Sequence, residues 1–483
     1  MFKLALPKGR LQSKTAELLD SVGIGLDNYT AKSRNYRLQA SSFPELSAKV
    51  FQERDVSIQV AIGNYDLGIC GYNWVEELTS KYPSSAVIIV RGLGYGRGKL
   101  CVGASPDLGI FKPDDVARLN KTITLASENP NLAESYAARL RLKRFQIFPV
   151  WGAAEVYPSF GTDLAIFTLG PDKKLDTELV PLDFISSTEA FLIANRNSWQ
   201  DMDLGRVLDL FSRVKFDEPE KVSYIPAASE VKKLKNEKIK IKNGRLSPDF
   251  RTLSPDIVRL ALPDGHQQKH TITLLDRCGI QVGGYNAPAG KYPFETGTKD
   301  LVVKVIRPQD MPAQVACGNF DIAVTGRDWL TDHLNAFPTS PVKELADLKH
   351  GLVKIVAVVS RETGINDIDG LRERFSDKHS PPLRVASEYV NTADKYCCYK
   401  HFGHYKVIPT WGASEAFLPE DADLLIENTE TGETLARHNL IVIDTLMEST
   451  ACIIGSTEES GHHGQRKTIS SLVDKLRKAA SEE

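Results

Sequence analysis

Apolar and polar residues alternate over Phe2-Lys3-Leu4-Ala5-Leu6, a period of two that predicts a short strand. A turn at Pro7–Gly9 leads into a helical spacing from Leu11 to Val22. Strand patterns follow at 48–51, 58–62, 67–70, 86–90, 99–103, 122–126, 145–149 and 163–167. Helical segments such as Leu132–Leu142 separate several of them. Strands alternating with helices predict an α/β chain with mainly parallel sheets. Gly92–Gly98 reads as a crossover, because the strand pattern restarts behind it. Thr188–Asn195 would return the chain to its first sheet, leaving two lobes with a cleft between them.

The order then begins again, with strands expected near 257–262, 301–306, 321–325, 353–359, 383–387, 405–409 and 423–427. Leu4-Ala5-Leu6-Pro7 returns as Leu260-Ala261-Leu262-Pro263, and Tyr65-Asp66-Leu67-Gly68 as Phe320-Asp321-Ile322-Ala323. Trp151-Gly152-Ala153-Ala154-Glu155 returns as Trp411-Gly412-Ala413-Ser414-Glu415. A repeat of this length is a whole folding unit, not a solenoid module. Copy one is expected at 1–215, with lobes at 1–94 plus 186–215 and at 95–185. Copy two is expected at 256–460, with lobes at 256–350 plus 446–460 and at 351–445. The stretch 216–255 reads as an exposed charged connector. Residues 461–483 read as a polar linker followed by an amphipathic helix, Ile469–Lys478.

A chain of 483 residues is too long for one ordinary core, which agrees with a duplication. A net charge of −2 argues against bulk attraction to nucleic acid. No apolar run approaches the roughly 20 residues of a membrane helix, and no signal segment precedes the first strand. Seven cysteines without zinc or redox spacing fit a reduced cytoplasm. His401 with His404, and His462 with His463, lack a third ligand at suitable spacing, so a metal pair is not expected.

The copies differ where chemistry belongs. In copy two a buried strand pattern ends in Glu427-Asn428-Thr429-Glu430-Thr431-Gly432-Glu433-Thr434. A glycine lets backbone N–H groups approach a phosphate, and threonine hydroxyls add donors. The carboxylates can accept from ribose hydroxyls or hold Mg²⁺ through water. The gap-free equivalent in copy one has Phe167 for Glu427, Gly170 for Glu430 and Pro171-Asp172 for Thr431-Gly432. Proline removes a donor and aspartate repels phosphate, so copy one is not expected to bind there. The opposite holds after the first strand. Copy one has Lys8-Gly9-Arg10 and, further on, Arg34, where copy two has Asp264-Gly265-His266. Cations there suit an anionic phosphate chain, the plainer reading of each one alone being surface charge.

As an ordered set these segments resemble the short catalytic form of ATP phosphoribosyltransferase, in two copies. The segments are Leu4 to Leu11, Asp66 to Gly71, Ile306 to Pro312, Gly412 to Glu415 and Glu427 to Leu435. The resemblance implies two bilobal units like periplasmic binding proteins. It implies joining N1 of ATP to C1 of phosphoribosyl pyrophosphate, releasing pyrophosphate, as the first step of histidine biosynthesis. Mg²⁺ is expected with the diphosphate. The family's sugar-phosphate loop corresponds to Glu427, Glu430, Thr431, Gly432, Glu433 and Thr434, with Ser414, Glu415, Tyr389 and Asn391 beside the same cleft. The family usually has Asp at the place of Glu427.

In the family, a basic residue of one subunit reaches its neighbour's site, and Arg10 and Arg34 match two such arginines, with Lys8 beside them. The complementary losses then imply one composite site, its loop from copy two and its arginines from copy one. The alternatives are a catalytically inactive bilobal nucleotide or anion sensor, and a regulatory pseudoenzyme. Short forms of the family work with a separate regulatory subunit resembling histidyl-tRNA synthetase, so such a partner is implied, with further self-association left open.

Overall fold

The computed structural model describes residues 2–30, 35–105, 108–158, 161–170, 179–212, 257–285, 296, 300–376, 381–457 and 463–481. Arg34, Pro171-Asp172, the 216–255 connector and His462 lie outside the described residues.

Four sheets carry the chain. The first runs in the order Arg37–Gln39, Leu46–Gln52, Phe2–Lys8, Leu67–Gly71, Ala190–Asn195, Val87–Gly92. The second runs Val180–Thr188, Gly98–Ala104, Leu164–Leu169, Ile123–Ser127, Phe145–Pro149. Copy two repeats them as Leu301–Ile306, Val258–Pro263, Ile322–Gly326, Ala451–Ser456, Val342–Asp347 and as Tyr405–Pro409, Leu383–Ser387, Leu424–Thr429, Val353–Ser360, Leu440–Ser449. Each sheet contains three neighbouring parallel strands, with antiparallel strands on one or both sides. Apart from the edge strand Arg37–Gln39, which pairs with its neighbour Leu46–Gln52, the antiparallel members arise because the chain crosses to the second lobe and comes back. In copy one the return is Val180–Thr188 running straight into Ala190–Asn195.

One sequence expectation is corrected. Residues 58–62 alternate by type, yet the chain is helical over Glu53–Ala61. Val56 and Val60, four apart, are fully buried, whereas Ile62 is exposed. A Cβ on Gly68 would lie 2.7 Å from Val60 and 2.8 Å from Val56, so this helix rests directly on the strand Leu67–Gly71. The glycine of the Asp-Leu-Gly motif is therefore a packing requirement in copy one.

The cores pair the lobes crosswise. Leu4, Leu6, Val50, Phe51 and Ile69 of copy one share a core with Val356, Phe417, Leu418 and Leu425 of copy two. Reciprocally, Ala126, Val150, Tyr157 and Phe167 share a core with Ala261, Met311, Phe320 and Ile454. Each fully buried large apolar side chain contributes about 1.5–3 kcal/mol. The first joint also holds an ionic group: Lys49 donates to Asp421 at 2.7 Å and Glu420 at 2.9 Å, and the Tyr65 hydroxyl donates to Asp421 at 3.1 Å. At the second joint Asp310 accepts from the Tyr157 hydroxyl at 2.8 Å and from the Trp151 backbone N–H at 3.3 Å. The last helix, His463–Ser481, is longer than the sequence suggests and lays Leu472, Val473, Leu476 and Ala480 on the first lobe of copy two. Among the described residues no helix is long and apolar enough to cross a membrane.

Candidate active site

The second lobe of copy two gathers acidic and hydroxyl groups at the ends of its parallel strands. Leu383–Ser387 pairs with Leu424–Thr429 so that Ser387 lies opposite Ile426, which sets Glu388 beside Glu427. After the neighbouring strand Tyr405–Pro409, Ala413 takes a left-handed φ of 56° and turns Ser414 and Glu415 toward the same place. Ser414 is fully buried, its hydroxyl 2.8 Å from that of Thr410. Burial pushes the Glu427 carboxyl well above its ordinary range, and the charges of Glu388 and Glu415 push it further. Glu388 is pushed up to about 7, first by burial and then by Glu415, while Lys8 of copy one pulls it down. Three carboxyls thus share one site with a cation from the other copy.

Copy one reaches this place through its first sheet. Lys8 ends the strand Phe2–Lys8, and its Nζ donates to the Tyr36 hydroxyl at 3.0 Å. The Tyr36 ring stacks on His438, at 4.8 Å between centroids, just behind the loop helix Glu433–Arg437. A Cβ on Gly412 would meet Gln52 Nε2 at 2.9 Å and Glu388 Oε1 at 3.5 Å. Gln52 of copy one thus approaches Gly412 closely, and the φ of 102° there is what favours the glycine of the Trp-Gly-Ala motif.

Arg10 is held within copy one, donating to the Gly96 carbonyl at 2.9 Å and to Glu53 at 3.1 Å. Its side chain keeps 46% of its surface exposed. Asp264, at the place of Lys8 in copy two, pairs with Arg307 at 3.1 Å instead.

The loop expected to cradle a phosphate is an exposed turn. Gly432 has a φ of 77°, and its N–H donates to Thr429 Oγ1 at 3.0 Å. Glu433 N–H points to Thr431 Oγ1 at 3.4 Å, while Glu430, Thr431 and Glu433 are exposed and Thr434 is half-buried. In copy one Phe167 stands in for Glu427 and is buried in the cross-copy core. Tyr389 and Asn391 join the two lobes of copy two. The buried Tyr389 hydroxyl donates to Asp328 at 2.6 Å, and its ring stacks on Trp329 at 4.3 Å. Asn391 donates to Asp332 at 2.8 Å. Glu77 does the same in copy one, accepting from the backbone N–H groups of Asn131 and Leu132 at 3.0 Å each. An acid of the first lobe thus binds the start of a second-lobe helix in both copies, where the helix dipole favours negative charge.

Trp151 and Trp411 are half-buried at the joints between copies, not in a single core. Trp151 meets Trp329 edge-on at 5.7 Å, and the Arg54 guanidinium lies 3.8 Å over Trp411. Sequence reasoning missed Glu388, Gln52 and Tyr36 at this site. Among the described residues no three acidic, histidine or cysteine side chains converge as a direct metal site.

Comparison with known proteins identifies the family. The family described as HisG: ATP phosphoribosyltransferase matches residues 40–215 and 307–478, more than half of the chain. An ATP phosphoribosyltransferase of Chlorobium chlorochromatii is 30% identical over 222 residues, 45% of this chain and 69% of that protein. One from Solibacter usitatus is 30% identical over 202 residues, 41% of this chain and 65% of that protein. Among solved structures, the ATP phosphoribosyl transferase (HisG:HisZ) complex from Thermotoga maritima aligns with 23% identity and a TM-score of 0.38, over 47% of this chain and 100% of that one. The chain belongs to the ATP phosphoribosyltransferase family and carries two units of it in tandem.

Proposed function

We propose that the chain joins N1 of ATP to C1 of phosphoribosyl pyrophosphate, as the first step of histidine biosynthesis, at one composite site. Copy two supplies the sugar-phosphate loop, Glu427 to Thr434, and copy one supplies cations. The observation that carries this reading is the crosswise packing, which brings Lys8 within electrostatic reach of Glu388 and sets Tyr36 against His438. In copy one Phe167 fills the equivalent place with an apolar ring.

The chemistry follows from the groups. The N1 lone pair forms a bond to C1 as the bond from C1 to the diphosphate oxygen breaks, and pyrophosphate leaves with the electron pair. Charge grows on the departing oxygens, so cations there stabilise the transition state more than the ground state. Lys8 acts electrostatically on Glu388, and Arg10 keeps a partly exposed guanidinium. The Thr431 and Thr434 hydroxyls offer donors to the 5-phosphate, and the Gly432 N–H would join them on leaving Thr429 Oγ1. Burial and the charges of Glu388 and Glu415 shift Glu427 toward its protonated form, and a carboxyl in that form can donate to a ribose oxygen and repels the diphosphate less. The mutually repelling Glu388 and Glu415 suit a hydrated Mg²⁺ carried in on the diphosphate, which supplies further charge neutralisation.

The test measures pyrophosphate release from ATP and phosphoribosyl pyrophosphate in Lys8→Ala, Arg10→Ala, Arg34→Ala and Glu427→Gln. Loss of a leaving-group cation is expected to cost on the order of 10²–10³ in rate. Normal turnover in all three copy-one variants would remove the composite site. Binding of phosphoribosyl pyrophosphate without any release by the wild-type chain would leave a sensor instead.

A further inference from the structure

One side chain of copy one touches both halves of the proposed site. Tyr36 precedes the edge strand Arg37–Gln39, and its carbonyl accepts from the Val50 N–H at 2.8 Å, so the first sheet holds its backbone. The next residue, Arg37, pairs with Glu420 of copy two at 3.1 Å. Tyr36 is 7% exposed. Its segment is fastened to both copies, which leaves the ring little freedom to turn.

Tyrosine has a polar tip and an apolar face, and here the two have different partners. The hydroxyl accepts from Lys8 Nζ at 3.0 Å, and Nζ lies 4.9 Å from the ring centroid. A lysine ammonium rides on a flexible four-carbon stem and carries three donors. A fixed acceptor therefore narrows where the charge can sit and leaves two donors for anionic oxygens. The face of the ring stacks on His438, with the two planes 15° apart. The His438 backbone N–H donates to the carbonyls of Thr434 at 3.2 Å and Leu435 at 3.1 Å, closing the helix Glu433–Arg437, whose N-cap is Gly432. Five residues rise only about 7.5 Å, so this helix places His438 and the Gly432 turn as one piece.

We propose that Tyr36 is a positioning residue that sets the distance between the Lys8 ammonium and the turn Thr431–Thr434, so that the site selects a sugar with a phosphate at one end and a diphosphate at the other. This rests on the composite-site reading. The hydroxyl acts through Lys8 and the ring acts through His438.

Two probes separate the ends. Inorganic pyrophosphate stands for the diphosphate and ribose 5-phosphate for the other end, each titrated by calorimetry into the full chain with Mg²⁺. Tyr36→Phe keeps the ring and removes the acceptor. It is expected to weaken pyrophosphate binding about tenfold, the effect of losing a hydrogen bond to a charged group, and to leave ribose 5-phosphate unchanged. His438→Ala is expected to do the reverse, weakening ribose 5-phosphate about fivefold through the lost aromatic pair. Added to Lys8→Ala, Tyr36→Phe should cost no further pyrophosphate affinity. A further tenfold loss would mean that the hydroxyl meets the ligand itself, and loss of both probes in Tyr36→Phe would mean that it holds the fold; either would overturn the role. Unchanged ribose 5-phosphate binding in His438→Ala would overturn the link to the turn. Unchanged pyrophosphate binding in Tyr36→Phe would overturn the link to Lys8, leaving the composite site standing if Lys8→Ala alone weakens this probe. If Lys8→Ala has no effect, or the wild type binds neither probe, both fall. The expected pattern in a chain that releases no pyrophosphate would keep the role of Tyr36 while the transferase reading fails.

Discussion

Lys49 and Asp421 meet at 2.7 Å with side chains only 5% and 4% exposed, inside the joint between the copies. Removing one partner leaves a buried charge without compensation, which costs about 3–5 kcal/mol, while replacing both with apolar groups is often neutral. Lys49→Met should therefore lower the urea unfolding free energy by that amount, and adding Asp421→Leu should recover most of it. A single-variant loss below about 1 kcal/mol would mean that the pair behaves like a surface ion pair. Glu388 makes a second prediction, through pH. Burial, then the charges of Glu415 and Asp328, raise its carboxyl from 4.5 to about 7, with Lys8 opposing. The folded chain then binds a proton that the unfolded chain has released between those two values. Stability from this group is highest below about pH 4.5 and falls as pH rises to about 7. Glu388→Gln should remove that slope, so its urea midpoint should gain on the wild type across this window and level off above it. A difference that does not vary with pH would refute the assignment.

At the scale of elements, legibility in the sequence followed the strength of the local period. Strands such as Leu383–Ser387 and Tyr405–Pro409 fall where alternation and turn residues place them. The helix Glu53–Ala61 reads as a strand locally, because contact with Gly68 chooses the i, i+4 pair Val56 and Val60 over the alternation at 58–62. Edge strands such as Arg37–Gln39 have too few residues to show a period and owe their form to the neighbouring ladder. The site divides the same way. Lys8 and Glu427 were legible because the copies differ there. Glu388 was not, because copy one also has a glutamate, Glu128, at that place, and contrast cannot reveal what both copies keep. Gln52 carries no chemical signal until the fold sets it against Gly412. The terminal helix gives a prediction of its own. Leu476 is 1% exposed between that helix and the first lobe of copy two. Leu476→Ala should cost about 2–5 kcal/mol by leaving a cavity. Because the helix is the last element described, the loss should appear first as faster amide exchange over 463–481, and unchanged exchange there would show that the helix does not depend on this contact.

For the whole molecule, duplication would let one site survive the decay of another. The crosswise cores mean that one face of each first lobe is covered by the other copy's second lobe, while the remaining cores lie within one copy. Such a joint must be kept for folding even where its chemistry has gone. The joint that holds Phe167, with the pair of Arg307 and Asp264 on its copy-two side, is then compatible with retention for shape, while the joint with Lys8 retains both shape and charge. Linkage also sets where the proposed site forms. Two copies on one chain meet at an effective concentration on the order of millimolar, far above micromolar encounters between chains. The composite site should therefore be built within each chain. A chain carrying Lys8→Ala and a second carrying Glu427→Ala should stay as inactive mixed as apart, even after co-refolding at micromolar concentration, and the wild type should bind one phosphoribosyl pyrophosphate per chain at saturation. Recovery of activity on mixing would show that copy one of one chain serves copy two of another. A second equivalent of bound phosphoribosyl pyrophosphate would show that the Phe167 side still accepts the sugar phosphate.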